Sequence, residues 1–418
     1  MKICQVVPYF PYKEHLQGHP VENGYHIGGV ERHVYNLSTE LAKLNHEVTI
    51  ITARSPNHEY LSDITDFKII RIPIDLQVYS SPICLGLLNL TFEEFDIVHA
   101  HTPVPFTADL VAIKNLKEKK PFVLTYHNDI SKDSGLGKLI STVYNSIFGR
   151  LLLNHSDIII ATTKSYAIHS RQLRKYLHKV VVIPNGVDIN KFHPNLDRER
   201  VRERHCIDKD AKIVLFVGRL DTYKGCKHLL SAFAIVARKI KNAYLILVGR
   251  GPLEPVLRKI VTKLGIKSRV FFAGYVKDEE LPYYYASCDV FVLPSISEYE
   301  GFGVVQLEAM ACGKPVVTTN IPGVNEVDPR ELATIHVPPK DERALAEAIL
   351  TILSNDELAI KMGMHGRKLV EKKYSWSRVI HDILEIYRTI CYNHCRAENP
   401  QIKYLSKDLI CLRTLFLE

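Results

Sequence analysis

Short runs of β-branched and other apolar residues recur along this 418-residue chain, each followed by a segment with helical spacing. That alternation limits the chain more than any other feature, because strands joined through helices lie parallel and need cover on both faces. Asp157-Ile158-Ile159-Ile160-Ala161 is apolar almost without interruption, as a strand covered on both faces should be. A first series of strands is predicted at 2–8, 46–53, 67–72, 95–100, 121–126, 157–162 and 179–183. A second begins at Lys212-Ile213-Val214-Leu215-Phe216-Val217 and continues near 243–248, 269–273, 289–293 and 314–318. Helices are predicted at 342–354, 356–372 and 376–392. The fold class is α/β, with two doubly wound parallel-sheet domains, and the length exceeds what one ordinary core holds. The turn-rich Pro184-Asn185-Gly186 separates the two series.

Composition narrows the function classes. With 46% hydrophobic and 24% charged residues the chain can bury a sizeable core, yet no apolar stretch approaches the roughly 20 residues of a membrane span. The opening Met1-Lys2-Ile3-Cys4-Gln5-Val6-Val7-Pro8 reads as a strand and not as a signal peptide. Nine scattered cysteines, with only Cys391 and Cys395 close in sequence, match no zinc spacing and point to reduced thiols in a cytoplasmic setting. The net charge of +8 suits an anionic ligand or membrane surface, but its basic residues form no nucleic-acid motif.

Four stretches carry candidate chemistry. Gly28-Gly29-Val30-Glu31-Arg32-His33 opens the first helix, where paired glycines let a ligand approach the backbone and the helix start favours a phosphate. The spacing is not that of a dinucleotide fingerprint. Thr125-Tyr126-His127-Asn128-Asp129 ends a strand and offers a histidine. Val217-Gly218-Arg219-Leu220-Asp221-Thr222-Tyr223-Lys224-Gly225 follows the first strand of the second series. It places two cations where open α/β sheets bind ligands, an arrangement suited to a diphosphate. In Ser297-Glu298-Tyr299-Glu300-Gly301-Phe302-Gly303-Val304, continuing to Glu308, glycines free the backbone ahead of a helix from about 303 to 312. Two carboxylates, one in the loop and one in the helix, suit sugar hydroxyls. Plain turns, solvated charges and a capping glutamate are the structural alternatives for these same residues.

Taken in order, the four stretches resemble family 4 of the retaining glycosyltransferases, which have the GT-B fold of two Rossmann-like domains facing a cleft. The similarity runs from residue 1 to about 390 and is strongest from Glu300-Gly301-Phe302-Gly303 to Glu308. Pro184-Asn185-Gly186-Val187-Asp188 resembles the family's interdomain linker, and Leu247-Val248-Gly249-Arg250-Gly251-Pro252 another of its signatures. The resemblance implies an acceptor-side domain over 1–185 and a nucleotide-sugar domain over 186–375. It also implies a helix over 376–392 crossing back to the first domain, and assigns no role to 393–418. Arg219 and Lys224 would grip the donor diphosphate, Glu300 would face the transferred sugar and His127 would stand beside it. The N–H groups of Phe302, Gly303 and Val304, beside the donor-binding Gly301, would hold hydroxyl and phosphate oxygens, and Glu308 the ribose. Tyr275 and Val276 would pack on the base, and Gly28 and Gly29 would meet phosphate and acceptor.

The implied reaction is transfer of a hexosyl group from GDP-mannose or a UDP-hexose to a glycan or lipid-linked acceptor. No cofactor, metal or nucleic acid is expected, and Asp208-Lys209-Asp210 is read as solvated charge. The run around His127 looks similar to transferases of surface polysaccharide and glycolipid assembly. Leu139, Ile140, Val143, Ile147 and Leu151, with Lys132, Lys138 and Arg150 nearby, form a basic apolar helix. Such a helix either rests on an anionic membrane at the cytoplasmic face or covers the sheet. Rival functions on the same fold are a sugar-nucleotide epimerase, a glycan phosphorylase and a catalytically silent sugar-nucleotide-binding subunit.

Overall fold

A computed structural model describes residues 1–17, 25, 27–56, 59, 61–78, 81–130 and 135–398. The chain folds into two compact units: one holds most of the chain to Pro184 together with Val379 onward, the other Asn185–Arg378.

The first unit contains β1 (Lys2–Val6), β2 (Glu47–Ala53), β3 (Lys68–Ile72), β4 (Leu76–Val78), β5 (Ser81–Ile83), β6 (Ile97–His101), β7 (Phe122–Tyr126), β8 (Ile158–Ala161) and β9 (Val180–Val182). Seven of these form one parallel sheet in the order β3-β2-β1-β6-β7-β8-β9. The short antiparallel pair β4–β5 lies outside that sheet and is not apparent in the sequence pattern. Strands β1, β6 and β7 are buried almost throughout, which is the physical origin of their continuous apolar character. The first long helix, Gly29–Lys43, buries Val34, Leu37 and Leu41, while Val30 at its first turn is half-buried.

The second unit contains β10 (Lys212–Val217), β11 (Ala243–Val248), β12 (Val270–Gly274), β13 (Val290–Leu293), β14 (Val316–Thr319) and β15 (Thr334–Val337). They form a parallel sheet in the order β12-β11-β10-β13-β14-β15. In both sheets the chain order reverses beside the first strand, at β1/β6 and at β10/β13. A doubly wound sheet opens a crevice at such a point, beyond the carboxyl ends of its strands. The edge strand β15 is not among the expected strands, because Thr334 and His336 interrupt its apolar run.

Two helical expectations need correction. The apolar face after His127 does not cover the sheet: Leu139, Ile140, Val143, Ile147 and Phe148 are all exposed, and only Leu151 packs against the core. The helix Gly135–Tyr144 passes through a wider π turn, Asn145–Gly149, before Arg150–His155 continues, so the stripe does not stay on one ideal helical face. Lys132 lies outside the described residues. The last helix runs Trp376–Glu398, six residues beyond its expected end at 392, and 399–418 lie outside the description. No described helix is long and apolar enough to cross a membrane.

Candidate functional site

Each unit carries a cluster of polar residues at its switch point. In the second unit, β10 runs out at Val217 and one tight turn, Thr222–Lys224, leads to the Cys226–Lys239 helix. Gly225 closes that turn at φ +71°, and a Cβ there would stand 1.8 Å from the Pro294 carbonyl oxygen. Only glycine allows the β10 loop to press so closely on the loop after β13. The approach carries Lys224 inward. Its Nζ donates to Glu300 Oε2 at 2.5 Å, and Ser295 Oγ donates to the same oxygen at 2.9 Å. Lys224 and Glu300 are 9% and 8% exposed, which makes this a buried ion pair. Burial works against the Lys224 ammonium, but the Glu300 carboxylate outweighs it and raises the lysine's pKa overall. Arg219 does not follow Lys224 inward: it is exposed, with Nε 3.4 Å from Asp221 Oδ2.

Gly303 heads the Val304–Ala311 helix at φ +74°, where a Cβ would come within 2.6 Å of the Leu293 side chain. The buried Gln306 fixes this helix start, its amide donating to the carbonyls of Phe302 and Val324. The first-turn N–H groups have no acceptor within their own helix and favour an anion. Glu308 is half-buried and takes a 2.6 Å hydrogen bond from Tyr285, whose phenol burial and the glutamate together hold well above its ordinary pKa. Gly301 and the Phe302 ring are buried, the ring edge-on to Tyr374. Tyr275 is exposed just after β12, and Val276 packs partly on the core. Asp208 and Asp210 stand exposed ahead of β10.

In the first unit, Gly28 caps the first long helix, and its N–H donates to Glu31 Oε2 at 2.8 Å. A Cβ on Gly29 would meet nothing within 4 Å, so packing within this chain does not demand glycine there. Glu31 is buried, and that burial pushes its carboxyl up to about 7 despite the hydrogen bond from Gly28. His127, beyond the end of β7, has its Nε2 3.4 Å from His101 Nδ1, with the His33 ring edge-on at 5.1 Å. His101 Nε2 lies 2.8 Å from Gln5 Oε1; the Gln5 amide donates to Tyr387, which is 2.6 Å from His99 Nδ1; His99 Nε2 meets Thr125 Oγ1 at 2.7 Å. Burial first, then the neighbouring imidazoles, drives these histidines toward the neutral form: His99 falls to about 3, and His101 and His127 lie well below their ordinary value.

The structure therefore brings Lys224, Glu300 and Gly301–Val304 together on the second unit, with Glu308 further along the same helix. It places His127 beside His33, on the helix that Gly28 and Gly29 open. The sequence patterns do not single out Ser295, Tyr285, His33, His99, His101, Gln5 or Tyr387. His99-Ala100-His101 had a usable signal, since residues two apart share one face of a strand. Ser295 and Tyr387 had none: Tyr387 reaches His99 across 288 residues of sequence.

Two parallel-sheet Rossmann-like units with polar clusters at their switch points define the GT-B class of α/β proteins. Residues 27–191 match the model of Glycosyltransferase Family 4, and residues 197–369 that of Glycosyl transferases group 1. The chain is 30% identical over 379 residues to an uncharacterized glycosyltransferase of Methanocaldococcus jannaschii, covering 87% of this chain and 94% of that one. It is 28% identical over 375 residues to phosphatidyl-myo-inositol mannosyltransferase of Mycobacterium tuberculosis, covering 87% and 93%. Among solved structures, Anabaena HepE in complex with UDP and glucose shares the fold with a TM-score of 0.73 at 20% identity, covering 93% of this chain and 100% of that one. The chain belongs to the family 4 glycosyltransferases and is a glycosyltransferase of the GT-B type.

Proposed function

We propose that this protein transfers a hexosyl group, with retention of configuration, from a nucleoside-diphosphate sugar to a glycan or glycolipid acceptor. GDP-mannose is the favoured donor, a UDP-hexose the runner-up; the preference for mannose follows the mannosyltransferase among the relatives. The second unit takes the donor and the first faces the acceptor. Breaking the anomeric C–O bond leaves an oxocarbenium-like sugar and a departing diphosphate. Lys224, Arg219 and the N–H groups of Phe302, Gly303 and Val304 would stabilise that departing charge, each such donor contributing about 3–4 kcal/mol in comparable sites. A leaving phosphate oxygen takes the acceptor hydroxyl's proton as the new C–O bond forms on the same face. Glu300 would hold the sugar hydroxyls and Glu308 the ribose, Tyr275 and Val276 would pack on the base, and His127 would stand beside the sugar. The diphosphate needs no metal, because protein cations neutralise it. The acceptor is met at the cytoplasmic face of an anionic membrane through the exposed apolar stripe around Leu139 and Val143.

The observation carrying this function is the buried Lys224–Glu300 pair with Ser295, an ionic group held ready at the switch point. Thermal unfolding with a panel of nucleotides and sugar nucleotides, in EDTA, tests it. A donor at about 100 times its dissociation constant stabilises by roughly 2.7 kcal/mol. One nucleotide class should shift the wild type and fail to shift Lys224→Ala and Arg219→Ala. Shifts that survive in both variants would remove these cations from the diphosphate site. Free nucleoside diphosphate released only when acceptor is present separates transfer from epimerisation.

A further inference from the structure

We propose that His33, His101 and His127 of the first unit form a binding site for a zinc-class divalent cation. The three residues come from different elements: the first turns of the Gly29–Lys43 helix, the end of β6, and the segment after β7. One nitrogen from each lies within 4.8 Å of the other two. His101 Nδ1 and His127 Nε2 are 3.4 Å apart. That is long for a hydrogen bond. It matches the edge of a tetrahedron around a zinc ion with bonds of 2.0–2.1 Å, about 3.3–3.4 Å. His33 is half-buried on the first turns of its helix, and its ring stands edge-on to both His101 and His127, at 5.9 and 5.1 Å between centroids.

The surroundings of His101 are those of a ligand histidine. Gln5 donates its amide to Tyr387, so its carbonyl oxygen is the group facing His101 Nε2. His101 therefore carries its proton on Nε2 and turns the Nδ1 lone pair toward His127. Histidines that bind metals characteristically donate the other ring N–H to an oxygen in this way. Three imidazoles suit zinc, copper or nickel and not magnesium or calcium, which take oxygen ligands. Three protein ligands leave a fourth position for water or a hydroxyl. The sequence alone points to no metal, because the three histidines lie far apart in it and only folding collects them. The three histidines all belong to the first unit, and Lys224 and Glu300 to the second.

Untagged full-length protein, stripped with chelator, is titrated with Co²⁺ and followed by visible absorption, then displaced with Zn²⁺. One ion per chain is expected, with the intense absorption of a tetrahedral site. The His33→Ala variant should lose it, and Gln5→Met should weaken it roughly 10–100-fold. His381→Ala should retain it; His381, Asp382 and Glu385 are the other described group able to hold an ion, exposed on the last helix. Histidine ¹⁵N spectra of the wild type with Zn²⁺ need no variant, and should show three imidazoles shifting together. No stoichiometric binding, binding unchanged in His33→Ala, or binding lost in His381→Ala alone would overturn the site. Zn²⁺ should also inhibit transfer, reversibly with chelator, since His127 would be withdrawn from the sugar. Only that last effect rests on the proposed function: binding without inhibition would sink the role of His127 and leave the metal site standing.

Discussion

Burial divides the two cations of the β10 loop into different kinds of residue. Lys224 is enclosed with Glu300, so Lys224→Ala strands a buried carboxylate, a change that costs about 3–5 kcal/mol in comparable pairs. Arg219 is exposed beside Asp221, where removing one partner costs under about 1 kcal/mol. Arg219→Ala is thus the cleaner probe of ligand binding, and Lys224→Ala reports binding and stability together. Both positions were legible as cations after a strand, but their difference in burial was not: Gly225's approach to Pro294 decides it. Asp109 gives a pH prediction at this scale. Its Oδ2 accepts 2.7 Å hydrogen bonds from Tyr144 and the Phe106 N–H, yet burial outweighs them and raises its pKa. A carboxyl raised on folding contributes stability below its unfolded pKa and loses it as pH rises through the folded value. Asp109→Asn removes that titration, so the variant should gain on the wild type in thermal unfolding as pH rises above the unfolded carboxylate value of about 4. A melting-temperature difference independent of pH would show that Asp109 ionises normally in the fold.

Among the elements, the Gly135–Tyr144 helix is the one whose role the fold changes. Its apolar spacing is readable in sequence, but spacing cannot say what covers a face. Asp109 and Phe106 hold Tyr144 inward, with the Phe106 ring edge-on to it, while Leu139, Val143 and Ile147 face away at 50–60% exposure. Lys138 and Arg150 are exposed alongside. An apolar face flanked by cations gains from both burial in the headgroup layer and attraction to anionic lipid. Wild-type protein should sediment with phosphatidylserine-containing vesicles at low salt and less with neutral ones. Val143→Ser with Ile147→Ser should reduce sedimentation several-fold while leaving nucleotide binding intact. Equal sedimentation with neutral and acidic vesicles would remove the contribution of Lys138 and Arg150, and no sedimentation with either would remove the membrane role. The strands were more legible than this helix because burial on both faces leaves a continuous apolar signature. The edge strand β15 alternates apolar with polar residues, and β4 and β5 have only three residues each, so none of them shows one.

At the scale of the whole molecule, the first unit is discontinuous in sequence. Val379 onward belongs to it, although Trp376 packs beneath Gly186 and Val187 bridges to Ser375 in the second unit. The last helix buries Ile380, Ile383, Leu384, Tyr387 and Ile390, and Tyr387 closes the hydrogen-bond chain through Gln5 and His99. Each large apolar side chain contributes about 1.5–3 kcal/mol, against a typical domain stability of about 5–15 kcal/mol. A chain ending at Arg378 should therefore lose the first unit's fold and keep the second's. Hydrogen exchange should show β1 and β6 unprotected while β10 and β13 stay protected. Protection of β1 and β6 in the shortened chain would mean that the first unit closes its core without the last helix.

The amino-acid sequence by itself determined the two parallel sheets, their order along the chain, the glycine turns and the candidate donor residues, because periodicity and backbone conformation are local properties. Tertiary structure alone decided that Lys224 and not Arg219 is buried with Glu300, that Ser295 and Tyr285 hold the two glutamates, and that His33, His99 and His127 gather around His101. It also decided that an apolar helix face stays uncovered. Those outcomes depend on which strands become neighbours at the switch points and how closely their loops approach, and no spacing within one segment encodes a distance to another.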